Sequence, residues 1–332
     1  MKTQWDSMAR TFGIVVLIGI SLVSGLGHAS PLRTHGSMQS YLASLTQGSR
    51  GSVIAINPAT GDVLAAWNLK GAVNDAYPPG SAAKIVILAA ALEEGHVTPG
   101  EHLICQHVPP LLGSSYACTH PPAPEGFTVS SALANSCNFF FVTLSMRENP
   151  EALLHWYSLF GFGAAALLDG KPTAAGALRK PSGARSQALA ALGEGDVVST
   201  AAQLLDAYAL IANQGTEYGL WTSQASQHRP KPRRRIDLKN STYAALRTGL
   251  VGCVEYGTCQ AAAVPGVEVA GKTGTSSALD GSGATHAWFV GFAPAERPEI
   301  ALVVFLERGT GSHDAAPLAG KLLRYYFAGE RN

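Results

Sequence analysis

Hydrophobic and polar positions change period several times along the chain, and each change marks an element. Met38, Tyr41, Leu42 and Leu45 share one helical face, so the spacing predicts a short helix over 37–45. Gly51-Ser-Val-Ile-Ala-Ile-Asn57 and Asp62-Val-Leu-Ala-Ala-Trp67 are β-rich runs on either side of Pro58-Ala-Thr-Gly61, which predicts a β-hairpin. The middle reads as helical. Ala82 to Leu92 is apolar nearly all round, the signature of a buried helix. Residues 131–146 form a second helical stretch, interrupted near Asn135. Thr200-Ala-Ala-Gln203 has the form of a capping box and opens a helix to Asn213, with Gly215 past its end. A further helix is expected over 241–251. Strand patterns return at 267–270, 286–293 and 300–306, and a helix over 315–327 follows. Strands joined by short connections favour antiparallel pairing. The expected fold is therefore α/β of the α+β type. An antiparallel five-stranded sheet is flanked by terminal and central helices, and a mostly helical lobe, roughly 95–255, is inserted. A cleft between sheet edge and helices is the expected place for a site.

Composition narrows the class. The 332 residues carry 24 Lys+Arg against 23 Asp+Glu, a net charge of +1, which argues against nucleic-acid binding. At 46% hydrophobic and 14% charged, the chain can bury a sizeable core. Lys2 and Arg10 precede the uncharged run Phe12 to Leu26, which is short for a span of ~20 residues. Small residues at Gly27 and Ala29 suit a signal peptidase, so 1–29 reads as an export signal, with an uncleaved membrane anchor as the competing reading. Either places the rest outside the cytoplasm, in the periplasm or cell envelope. Residues 30–36 read as a linker and 37–329 as the folded domain. The basic run over 221–236, with Lys231, Arg233, Arg234 and Arg235, reads as a solvated loop.

Five cysteines suit an exported protein. Cys105 with Cys118 and Cys253 with Cys259 are the expected disulfides, leaving Cys137 free. A Cys2His2 zinc site from Cys105, His107, Cys118 and His120 competes for the first pair, but its one-residue spacings are tighter than usual, so no metal is assigned.

The most informative chemistry sits at Pro79-Gly80-Ser81-Ala82-Ala83-Lys84. Ser81 begins the buried helix and Lys84 lies three residues on, along the same face. Lys84 is the one charge between Ser81 and Leu92. Burial disfavours an ammonium, and a neutral lysine can take a proton from Ser81. A capping Ser81 and a snorkelling Lys84 explain the same residues equally well. Two further motifs shift the balance. Ser136-Cys137-Asn138 offers a hydroxyl to pass a proton and an amide to hold a carbonyl or the lysine. Lys272-Thr273-Gly274-Thr275, read as an edge strand, sets a cation and hydroxyls beside an extended peptide, and Gly274 lets another backbone come close.

In that order, S-x-x-K, S-x-N and K-T-G form the triplet of the penicillin-binding proteins and serine β-lactamases. The resemblance continues through Asn57-Pro-Ala-Thr-Gly-Asp-Val-Leu-Ala65, Tyr77-Pro-Pro-Gly80, Gly193-Glu-Gly195, Gly257-Thr258 and His286-Ala-Trp-Phe-Val-Gly-Phe-Ala-Pro294. It covers about residues 48 to 328 and resembles the transpeptidase domain of penicillin-binding proteins. It implies a D,D-transpeptidase acting on D-Ala-D-Ala peptidoglycan stem peptides, inhibited by β-lactams and needing no cofactor. It further implies that Ser81 is acylated, Lys84 is the base and Ser136 relays the proton. Asn138, Lys272, Thr273, Gly274 and Thr275 bind substrate, and the N–H groups of Ser81 and Thr275 form the oxyanion hole. Cys is frequent at the position of Cys137, so no separate role is assigned to it. The chain departs from the family in Glu194, where Gln is usual, and in Ala83. With no glycosyltransferase module in the sequence, partners supplying that activity are expected.

Rival readings fall away on context. Gly266-Val-Glu-Val-Ala-Gly271-Lys272-Thr273 fits the phosphate-loop pattern, but strand-like residues fill the loop and Gly274 follows where a helix should begin. Cys137 as nucleophile has no histidine nearby in sequence. A β-lactamase needs a group to activate water, and no E-x-x-L-N segment lies between Asn138 and Lys272. A D,D-carboxypeptidase, and a β-lactamase or β-lactam sensor of the same fold, remain as alternatives.

Overall fold

The computed structural model describes residues 35–222, 230–278 and 281–329; the expected export segment and most of the expected linker lie outside the described residues. In chain order the elements that build the site are α1 (His35–Leu45), β1 (Gly51–Ile56), β2 (Val63–Trp67), α2 (Lys84–Glu93), α3 (Val129–Ala134), α4 (Asn138–Ser145), α5 (Ala201–Ala212), α6 (Asn240–Glu255), β3 (Ala270–Ser277), β4 (Thr285–Ala293), β5 (Ile300–Leu306) and α7 (Ala316–Ala328). Other short helices, among them Pro150–Leu159 and Ala184–Ala191, connect them.

The sheet is five-stranded and antiparallel in the order β3-β4-β5-β1-β2. Both of its faces are covered. Ile54 and Ile56 of β1 face a core shared with α2, α4 and α5, whereas Val53 and Ala55 face a core shared with α1 and α7. Covering both faces explains why β1 and β5 are nearly continuous apolar runs without alternation. Helix α1 lays Met38 and Leu42 into the terminal-helix core and stacks Tyr41 on Tyr325, ring centroids 4.2 Å apart. Helix α5 begins with the expected capping box, in which the Thr200 hydroxyl accepts from the Gln203 N–H and Gln203 accepts from the Thr200 N–H.

Some expectations shift. The third strand runs over Ala270–Ser277 rather than 267–270. Its residues are mostly polar, yet β4 supplies a full ladder, with Lys272 opposite Val290 and Gly274 opposite Trp288. An edge strand held by backbone bonds needs no apolar side-chain pattern, which is why periodicity misplaces it. Residues 95–128, expected within the helical lobe, hold little regular structure beyond a turn at Ser114–Tyr116. Pro109, Pro110, Pro121, Pro122 and Pro124 remove the N–H donors a helix requires. The basic run is not wholly solvated. Arg233 pairs with the buried carboxylates of Asp206 at 2.8 Å and Glu217 at 2.6 Å, and Arg234–Arg235 pairs as a strand with Thr216–Glu217. Among the described residues, no helix is long and apolar enough to cross a membrane.

Candidate active site

The nucleophile segment turns before it becomes helical. Gly80 to Ala83 form a tight 3-10 turn, and the Lys84 N–H bonds the Ser81 carbonyl. Side chains three apart eclipse in such a turn, which sets Ser81 and Lys84 on the same side of it. Gly80 has φ 56°, and a Cβ there would stand 2.6 Å from the Thr275 carbonyl. Glycine is thus required for the nucleophile turn to meet the sheet edge. The turn is pinned from several sides. The Trp288 indole and the Ser276 hydroxyl both donate to the Pro78 carbonyl, at 2.9 and 2.7 Å. The Tyr208 hydroxyl of α5 donates to the Ala82 carbonyl at 2.9 Å.

Lys84 is fully buried. Its Nζ donates to the Ser136 carbonyl at 2.7 Å, the Ser136 hydroxyl at 3.2 Å and the Asn138 Oδ1 at 2.6 Å. Burial lowers its pKa to about 7, outweighing the opposing effect of Cys137 and Cys118. The second motif lies at the break between α3 and α4. Ser136 adopts φ 56°, a left-handed backbone uncommon for serine, and Cys137 caps α4 by accepting the Phe140 N–H. The Asn138 amide bridges Lys84 and the Tyr116 carbonyl, to which its Nδ2 donates at 2.9 Å.

The third motif lies on β3, the edge strand. Lys272 is buried; burial first, and the nearby Lys84 charge second, hold its pKa well below that of an exposed lysine. Its Nζ donates to the Thr273 carbonyl at 3.1 Å. The hydroxyls of Thr273 and Thr258 lie 2.6 Å apart, and the Thr275 hydroxyl accepts the Gly311 N–H at 3.0 Å. Gly274 has no room for a side chain, because a Cβ would stand 2.4 Å from the Pro79 carbonyl.

These segments enclose a cleft of about 490 Å³ lined by Ser81, Ser136, Asn138, Thr273 and Thr275. Lys84 and Lys272 are buried residues of the same motifs. The sequence gives other lining residues no place in the cleft. Tyr116 and Cys118 come from the irregular 95–128 segment, and His313 from the turn after β5. They carry no motif, and only the fold brings them in. Glu194, noted as a departure, also lines the cleft; it accepts the Ser277 N–H at 3.1 Å, and burial raises its carboxyl to about 7.

The cysteines divide differently from expectation. Cys253 and Cys259 are joined in a disulfide. Cys105 and Cys118 are not, their sulfurs standing 3.7 Å apart. The physical reason is a third sulfur: Cys137 lies 3.8 Å from Cys118, so Cys118 is shared between two neighbouring sulfurs.

Chemically, such an arrangement can support acyl transfer through a serine ester, with a buried lysine able to accept a proton and a strand edge able to hold an extended acyl donor. Comparison with known proteins agrees. The model of the penicillin binding protein transpeptidase domain matches residues 51–324, and the chain belongs to that family. The chain is 29% identical over 323 residues to the peptidoglycan D,D-transpeptidase PbpA of Mycolicibacterium smegmatis, covering 81% of this chain and 65% of that relative's length. The crystal structure of Pseudomonas aeruginosa PBP2 superposes with a TM-score of 0.77 at 26% identity, over 87% of this chain and 76% of that one. A peptidoglycan synthase complex that coordinates polymerization and crosslinking contains a chain matching with a TM-score of 0.75 at 25% identity, over 89% of this chain and 60% of that one.

Proposed function

We propose that the protein is a penicillin-binding D,D-transpeptidase that cross-links D-Ala-D-Ala stem peptides of peptidoglycan. The observation that carries this is the placement of Lys84. Buried, with a pKa near neutrality, it lies one turn from Ser81 and is held by Ser136 and Asn138. The neutral amine takes the Ser81 proton as Oγ attacks the carbonyl of the penultimate D-Ala. The carbonyl π electrons move to oxygen, where the N–H groups of Ser81 and Thr275 receive the charge. One such donor contributes ~3 kcal/mol to the transition state. As the tetrahedral intermediate collapses, the C–N bond breaks, and Ser136 passes the proton from Lys84 to the leaving amine of the terminal D-Ala. The serine ester is then attacked by an amine of a second strand, whose proton returns by the same route. Lys272, Thr273 and Thr275 would bind the substrate carboxylate, and Asn138 the peptide amide.

The same geometry admits β-lactams as acylating agents. A fluorescent penicillin is expected to label the pure protein covalently, and Ser81→Ala to abolish labelling. Labelling that survives the substitution refutes the assignment. A hydrolytic reading, D,D-carboxypeptidase or β-lactamase, is favoured by one observation: Glu194 puts a carboxyl of near-neutral pKa in the cleft, able to take a proton from water. The lifetime of the penicilloyl ester separates the readings, long for transfer and short for hydrolysis. Residues 1–29 would export the chain or anchor it in the envelope, where its substrate lies. The likeness to a component of a synthase complex supports a partner that supplies glycan polymerisation.

A further inference from the structure

We propose that Cys105, Cys118, His120 and Cys137 bind a single zinc ion that fastens one wall of the cleft to the second motif. Among the described residues, this is the group of His, Cys, Asp and Glu side chains that could hold a metal, and its ligand atoms all lie within 4.8 Å of one another. The sulfurs of Cys105 and Cys118 are 3.7 Å apart, and those of Cys118 and Cys137 are 3.8 Å apart. A tetrahedron built on Zn–S bonds of ~2.3 Å has edges of about 3.8 Å. A disulfide requires sulfurs at about 2.05 Å. The observed separations are those of ligands around an ion.

The surroundings fit the same reading. His120 Nδ1 lies 2.8 Å from the Pro121 carbonyl, which fixes the tautomer with the proton on Nδ1 and leaves the Nε2 lone pair free. Nε2 is buried without a hydrogen-bond partner. Each sulfur accepts a backbone N–H: Cys105 from His107 at 3.2 Å, Cys118 from Phe139 at 3.4 Å and Cys137 from Phe140 at 3.5 Å. These N–H donors and the amino-terminal end of α4 would stabilise thiolate charge once an ion is bound. A disulfide between any two of the cysteines would leave one thiol over and a buried imidazole nitrogen without a partner, whereas one ion uses all four groups. Thiolate and imidazole donors together suit zinc. On binding, three S–H protons pass to the buffer as three Zn–S bonds form. The spacing in sequence conceals the set, because Cys137 replaces His107 and comes from a different element.

The site joins two parts of the cleft. Cys137 stands between Ser136 and Asn138, which hold Lys84. Cys105 and Cys118 bracket the segment whose Tyr116 carbonyl receives the Asn138 amide. The ion would therefore act as a positioning element for the second motif. The site itself does not depend on the reading of the function, since metal content is measured without a substrate.

The test uses the full chain purified under reducing conditions without chelator. Elemental analysis is expected to give one zinc per chain. After chelation, Co2+ alone should restore the thiolate charge-transfer band and the strong visible bands of a tetrahedral cobalt site. Cys105→Ser and His120→Ala should each weaken zinc affinity by more than the roughly 10–100-fold that loss of an outer partner costs. His120→Cys, which keeps four donors, should retain the ion and shows that loss in the other variants is not misfolding. Three free thiols with no metal, a disulfide within the cluster detected by mass, or zinc retained equally by Cys105→Ser and His120→Ala would each overturn the site. Zinc that restores a slowed penicillin acylation in the chelated protein supports positioning; an acylation rate indifferent to bound zinc refutes it.

Discussion

Glu194→Gln isolates one ionisation with little change of shape. The Glu194 Oε1 accepts the Ser277 N–H at 3.1 Å, and a glutamine carbonyl oxygen can keep that bond. Burial raises the carboxyl from 4.5 to about 7, with the Ser277 bond opposing. A rise of that size corresponds to about 3 kcal/mol. The folded value lies above the unfolded one, so the stabilising share is fully present below about 4.5 and is lost as pH rises through about 7. Wild type and variant should therefore unfold alike in acid. Above about 7 the glutamine protein should be the more stable by about 3 kcal/mol. Urea denaturation of both proteins across this range reads the difference directly, and all other titrating groups cancel. Two stability curves that stay parallel from acid to base would show that Glu194 ionises as it does in the unfolded chain, and the reasoning would fail. The same variant should lengthen the life of a penicilloyl ester if Glu194 activates water.

Three other outcomes follow from the geometry. Lys84→Met should lower the penicillin acylation rate by about 10²–10⁴-fold while circular dichroism stays native; near-normal acylation would remove Lys84 from the role of base. Gly274→Ala should force β3 away from the Pro79 carbonyl, since the new Cβ would stand 2.4 Å from it. A loss of about 1–3 kcal/mol together with slower labelling is expected, and unchanged labelling would contradict the close approach. Arg233→Ala leaves the Asp206 and Glu217 carboxylates buried without their cation and should cost about 3–5 kcal/mol by chemical denaturation; a cost under about 1 kcal/mol would place the guanidinium in solvent.

Local regularities could be read directly. The hairpin at 51–67, the capping box at Thr200 and the buried helix after Ser81 depend on residues a few positions apart, where spacing and side-chain chemistry act without help from the rest of the chain. Periodicity misplaces the edge strand because its order comes from a ladder to Trp288 and Val290, not from its own side chains. The irregular wall over 95–128 carried proline signals against helix, but nothing in it announced that Tyr116 would meet Asn138.

Local pattern is enough to give the strands and helices with strong periods, a serine three residues before a lysine, and the likeness of the motifs to one family. The packing of distant segments supplies the rest. It sets the depth at which Lys84 is buried and hence its near-neutral pKa, and it turns Arg233 from a loop cation into a buried ion pair. It also gathers Cys137 with Cys105, Cys118 and His120. The reason is common to all of these: burial and charge pairing depend on which distant segments meet, and packing of helices on a sheet settles those meetings over separations that no local pattern spans.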